Sequence, residues 1–238
     1  MGLIKQNSNM RIILDSMDLG EVGDVVLERY GELVKKLAPK LLHMEKEWYK
    51  IMLHRGNVHT YFKTIRVESN DITFYIIPSS YSKADMKKFG ANLMLACEFK
   101  YQGQKFYSLL TGNLTQISIY TTHMLERYVE RHLNDDSPIN IETFIKYLKE
   151  TDSESIGFNE EEDNKLQWRN PIGNTCGCML NERVMLHKTF IDKSTLLYGK
   201  KKEANDRGNE LAQHYVTDMW GLRRLPQGIT RHFNFNLK

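Results

Sequence analysis

Apolar positions recur at helical spacing near the start of the chain and at alternating spacing soon after it. In residues 21–55, Val25, Val26, Tyr30, Leu33, Val34 and Leu37 fall on one side of a helix. Pro39 is expected to divide that run into two helices, with Gly56 and Asn57 ending the second. Residues 58–69 and 71–78 are rich in β-branched and aromatic side chains, and Ser69, Asn70 and Asp71 mark a turn between two strands. Residues 82–90 predict a short helix with Ser82 as its cap and Gly90 as its stop. Two apolar runs on either side of Gln102-Gly103-Gln104 predict a hairpin.

Further along, "LTQISIY" predicts a strand that runs straight into the helix "YTTHMLERYVERH". Thr121 or Thr122 can cap that helix, and Met124, Leu125, Tyr128, Val129 and Leu133 form its apolar face. Residues 138–150 predict another helix, capped by Asn140. The acidic stretch 151–165 is expected to be a loop. Residues 166–192 predict a second hairpin turning near Leu180 to Arg183, and 200–221 a last helix before a basic tail. Neighbouring strands joined by short turns, with helices grouped between them, indicate an α+β fold: an antiparallel sheet packed with helices. The expected organisation is a helical section over residues 1–57 and an α+β domain over 58–238.

Composition changes this picture little. The 238 residues are 41% hydrophobic and 26% charged, with a net charge of +3 that permits an acidic partner without demanding one. The three cysteines, Cys97, Cys176 and Cys178, show no disulfide spacing, which points to a cytoplasmic protein. The first residues contain no continuous apolar run, so no signal peptide is expected, and no segment is long and apolar enough to span a membrane. There is no glycine-rich phosphate loop, no G-x-S-x-G and no HExxH spacing among the eight histidines. No metal and no cofactor are expected.

The helix at 121–133 carries the candidate chemistry. His123, Arg127, Glu130 and Arg131 cluster opposite its apolar face. Arg127 and Glu130 attract at i, i+3, whereas Arg127 and Arg131 repel at i, i+4. Two readings are open: an ordinary solvated face, or a row of groups facing an anion, since a guanidinium fork matches phosphate oxygens and histidine moves protons near neutral pH. In the strand "MLHKTFI", alternation puts His187 and Thr189 on one face and Lys188 with Phe190 on the other. Either Lys188 snorkels to water, or Lys188, or His187 with Thr189, faces the polar side of the helix.

His-x-x-x-Arg-x-x-Glu-Arg on a helix, followed later by a Lys-Thr-Phe strand, resembles RelE-like proteins and the wider group of metal-independent ribonuclease folds that includes colicin-type nucleases. This chain departs from that pattern in placing a second helix and an acidic segment between the two pieces. The resemblance implies cleavage of RNA through its 2′-hydroxyl. It makes His123 the base or acid, Arg127 and Arg131 the phosphate ligands, Lys188 an added charge and Glu130 the orienter of an arginine. A separate basic region, Lys200, Lys201, Lys202, Arg223, Arg224 and Arg231, lies among aromatics Trp220, Phe233 and Phe235 and suits nucleic-acid binding. The expected partners are RNA and a neutralising or assembly protein. The alternative is a non-enzymatic interaction or assembly protein of a phage or mobile element.

Overall fold

The computed structural model describes residues 11–111, 115–151, 156–160 and 165–194, with side chains left aside for 156–160 and 165–166. Its elements bear out the α+β class. In order they are α1 (Leu19–Arg55), β1 (Thr60–Tyr61), β2 (Ile65–Ser69), β3 (Ile72–Ser80), α2 (Lys83–Phe89), β4 (Asn92–Tyr101) and β5 (Gln104–Thr111). Then come β6 (Gln116–Thr121), α3 (Thr122–Tyr128), a π-helical turn (Val129–Leu133), α4 (Ile141–Thr151), β7 (Ile156–Glu160), β8 (Lys165–Asn170), β9 (Gly173–Met179) and β10 (Val184–Asp192). They form two compact units, divided between Ser118 and Ile119 within β6.

In the first unit the strand order is β1-β3-β4-β5, with β2 also paired to β3, and these four pairings are antiparallel. The turns follow the local sequence. Asn70 adopts φ 52° between β2 and β3, and Gln102 and Gly103 adopt 48° and 75° in the two-residue loop between β4 and β5. Both central residues of that loop are left-handed, which suits the twist of a hairpin.

α1 lies against this sheet. Asp18 and Glu21 start it with a reciprocal capping box at 2.8 and 2.9 Å. Tyr30 meets the edge of Phe74 at 5.0 Å, and Trp48 stacks on Phe62 at 5.6 Å. The helix continues through Pro39, contrary to the expected break. Pro39 sits on the exposed side, where the carbonyl it cannot bond can turn to water. The apolar stripe through Leu33, Leu37, Leu41, Trp48 and Met52 is buried before and after it. Proline removes one hydrogen bond, and burial along the stripe outweighs that loss.

Among the described residues one cation is interior. Arg29, 2% exposed, reaches Asp71 at 2.6 Å through Nη1 and donates to the Arg11 carbonyl through Nε at 2.8 Å. It fastens the segment before α1 and the β2–β3 turn to the helix.

In the second unit the strand order is β6-β10-β9-β8-β7, with α3 packed on β10. Two expectations are corrected. The acidic stretch contains β7, which pairs with β8 from Ile156–Arg169 to Glu160–Lys165. The region 166–192 holds three strands, because Pro171 and Ile172 make a turn of their own ahead of the turn at 180–183. β9 and β10 approach closely at Gly177, where an added Cβ would lie 1.7 Å from the Leu186 carbonyl oxygen. At Gly31 in α1 nothing lies within 4 Å. Gly177→Ala is therefore expected to destabilise the protein by about 1–3 kcal/mol. Gly31→Ala is expected to stabilise it by about 0.5–1 kcal/mol. Urea unfolding of the two variants beside the wild type measures both.

Candidate functional site

Thr121 starts α3. Its Oγ1 accepts from the Met124 backbone N–H at 3.1 Å and donates to the Lys188 carbonyl at 3.3 Å. At the other end, Arg131 Nη1 donates to the Phe190 carbonyl at 2.7 Å. α3 and the turn after it are thus tied twice to one short stretch of β10. Met124, Leu125 and Tyr128 are buried beneath the helix, as its apolar spacing requires.

The polar face is exposed. The His123 side chain is 54% exposed, and its Nδ1 lies 3.4 Å from Glu126 Oε2. A ring engaged through Nδ1 keeps Nε2 as its second donor or acceptor. Arg127 Nη1 pairs with Glu130 Oε2 at 2.5 Å. Each guanidinium carries five N–H donors, so single bonds from Arg127 and Arg131 leave most of each fork for a ligand.

Lys188 is exposed, and the expected alternation around it is corrected. A β-bulge falls between His187 and Thr189: His187 opposes Gly177, and Thr189 opposes Cys176, the next residue along. The extra residue resets the pattern. His187 and Phe190 are both buried, and Lys188 does not share the Phe190 environment. The structure therefore places His123 and Arg127 on α3, Glu130 and Arg131 in the π-helical turn that follows it, and Lys188 on the strand to which both are tied. The candidate nucleic-acid residues Lys200, Lys201, Lys202, Arg223, Arg224 and Arg231 lie outside the described residues.

Two histidines stand in environments that helical spacing and alternation do not show, and His187 is buried rather than presented to the polar side of the helix. In the first, His132 lies in the π-helical turn, which replaces the regular α-helix expected up to Leu133. Its Nδ1 is 3.1 Å from Asp192 Oδ1 and its Nε2 is 3.6 Å from Glu150 Oε2. Tyr128 donates to the same Glu150 oxygen at 2.6 Å. Asp192 also accepts from the Ser194 backbone N–H at 2.8 Å and from its hydroxyl at 2.5 Å. Burial pushes the Asp192 carboxyl up, but these bonds from Ser194 and His132 outweigh it and hold the group below its ordinary value. With carboxylates at both nitrogens, His132 cross-links the π-helical turn, α4 and β10. The signal available in the sequence was the Tyr128–His132 pair at i, i+4, whose rings stack at 5.6 Å.

In the second, His187 is 1% exposed and held between Tyr120, stacked at 4.3 Å, and Trp168 at 4.0 Å. Its Nδ1 bonds the Thr175 hydroxyl at 3.1 Å, and its Nε2 has no hydrogen-bond partner. Burial lowers its pKa to about 3, so the ring is neutral at physiological pH.

The cysteines are free, and burial pushes the Cys97 thiol up to about 12, which makes it a poor nucleophile. Among the described residues, no group of three or more His, Cys, Asp or Glu side chains is arranged to hold a metal ion. Among those residues also, no helix is long and apolar enough to cross a membrane. The chain matches no protein-family model, no curated protein and no solved structure.

His187 sets a pH dependence. Its folded pKa lies below the ordinary histidine value of 6.5, so the unfolded chain binds more protons between the two. Its contribution is fully present above pH 6.5 and is lost as pH falls toward about 3. Thermal melts of the wild type are expected to show falling stability across that window. In His187→Gln, which does not titrate there, the slope is expected to flatten. An unchanged slope would assign the acid sensitivity to other groups.

Proposed function

We propose that the α3–β10 face binds RNA and cleaves it without a metal ion. The observation that carries this reading is the double tie of α3 to β10, Thr121 to the Lys188 carbonyl and Arg131 to the Phe190 carbonyl. It joins the helix bearing His123, Arg127 and Arg131 to the strand bearing Lys188.

In the proposed reaction, His123 Nε2 takes the proton of an RNA 2′-hydroxyl. The 2′-oxygen attacks the adjacent phosphorus, the bond from phosphorus to the 5′-oxygen breaks, and an acid protonates that oxygen. The products are a 2′,3′-cyclic phosphate and a 5′-hydroxyl. Arg127 and Arg131 stabilise the charge of the crowded phosphate, and Lys188 adds to it. Glu126 orients the His123 ring and Glu130 orients Arg127, in keeping with their contacts at 3.4 and 2.5 Å.

A second reading is a non-enzymatic interaction or assembly module. The observation favouring it is the exposure of Leu42, Ile51, Leu53 and Val58 at and just beyond the C-terminal half of α1.

Purified protein incubated with mixed single-stranded RNA in EDTA separates the two. Cleavage by the wild type, reduced about 10²–10⁴-fold in His123→Ala, is the expected result. Intact RNA with folded wild-type protein, or equal cleavage by the variant, would sink the catalytic assignment. A concentration-dependent increase in mass by light scattering, together with intact RNA, would favour the assembly reading.

A further inference from the structure

The exposed side of α1 changes sign along its length. Glu21, Glu28 and Glu32 face solvent in its first half. From residue 35 onward the exposed side carries Lys35, Lys36, Lys40, Lys46, Lys50 and Arg55. At about 100° per residue, the five lysines fall within one arc opposite the buried stripe of Leu41, Trp48 and Met52. His43 and His54 lie in the same arc. Glu47 is the one fully exposed acid there, and it is engaged by Lys50 at 2.9 Å. Lys35 to His54 spans about 28 Å at 1.5 Å per residue, enough for several phosphates of a strand.

Helix stability does not account for this face. The helix dipole favours cations only in the last turn, which covers His54 and Arg55 but not Lys35 to Lys46. Lys36 with Lys40, and Lys46 with Lys50, are like-charged pairs at i, i+4, which weaken a helix. Among the described residues, Lys36, Lys40 and Lys46 form no ion pair.

Two neighbouring elements of the same unit carry further cations and rings. α2 docks beside α1, close enough that the Glu45 carboxylate occupies the space a Cβ on Gly90 would need. Its last turn adds Lys87 and Lys88, the latter 4.7 Å from the Phe89 ring centre. Just beyond the C-terminal end of α1, His59 stacks on Tyr81 at 4.2 Å and meets Tyr61 at 4.6 Å, with all three rings half-buried. Such rings accept stacked bases whatever their sequence.

We propose that the basic side of α1, with α2 and the His59–Tyr81 stack, is a binding surface for the phosphate backbone of a single-stranded polynucleotide. It uses none of the residues of the α3–β10 face and needs no cleavage there. A basic amphipathic helix can also lie on a membrane, but it does so by inserting its apolar stripe. In α1 that stripe is already packed inside the fold, and the exposed Leu42, Ile51 and Leu53 do not form a second one, since Ile51 and Leu53 lie about 160° apart around the helix.

The test uses the full chain and a labelled 20-nucleotide single-stranded RNA, followed by fluorescence anisotropy at several salt concentrations. The comparison is with a Lys36→Gln, Lys40→Gln, Lys46→Gln triple variant. Glutamine matches lysine closely in helix propensity, so the fold should persist, and circular dichroism checks it. The expected result is at least tenfold weaker binding at low salt. The slope of log K against log salt is expected to become shallower by about 2, since each single-strand phosphate contact contributes about 0.7. Independently of any substitution, bound RNA is expected to protect Lys36, Lys40 and Lys46 of the wild type from acetylation. Three results overturn the proposal: equal binding and slope in the triple variant, no protection of these lysines, or a wild type that sediments with phosphatidylserine vesicles and does not bind RNA.

Discussion

A helix laid on a sheet can bury only one side, and both candidate surfaces of this protein follow from that constraint. In the first unit, α1 uses Tyr30, Leu37, Trp48 and Met52 to meet the strands, which commits one stripe to packing. The rest of its circumference contributes little to stability and is open to selection for charge. α3 repeats the arrangement over β10 with Met124, Leu125 and Tyr128 inside. What reaches solvent on each helix is therefore informative. On α1 the residues there are not required by the core, so its like charges at i, i+4 gain nothing from packing.

Elements whose cause is local were legible in the sequence. The Gln102-Gly103 loop, the Ser82 and Asn140 caps and the Thr121 start all depend on a few adjacent residues. The misses depend on partners distant in sequence. Continuity of α1 through Pro39 rests on burial against strands that come later in the chain. β7 lies in a polar stretch without a strand pattern and is defined by its pairing with β8. The bulge at Lys188 comes from the match between β9 and β10, which alternation along one strand cannot reveal. For the site, the residue types and the polar face were readable, whereas the roles of His132 and His187 were not. Both depend on α4, β8, β9 or β10 closing around the ring.

His132 illustrates how such a group serves the face without belonging to it. A π-helical turn loses regular i→i−4 bonding and is uncommon without a compensating interaction. Here the compensation is bonding from outside the helix: Asp192 and Glu150 grip the ring, and Arg131 bonds the Phe190 carbonyl. Because Arg131 and His132 are adjacent, the same contacts that hold the turn also limit where the Arg131 guanidinium can go. Preorganisation of this kind reduces the ordering that a bound phosphate would otherwise impose.

The two surfaces hold their cations differently, and the difference bears on what each can do. On α1, lysines on flexible stems stand along the helix with few acids near them, which suits loose, salt-sensitive contact with a moving backbone. On α3 and the π-helical turn after it, arginines are held by a carboxylate or a carbonyl at 2.5–2.7 Å, and a histidine sits beside its own glutamate. Fixed forks suit one phosphate in one orientation, as a reaction at phosphorus demands.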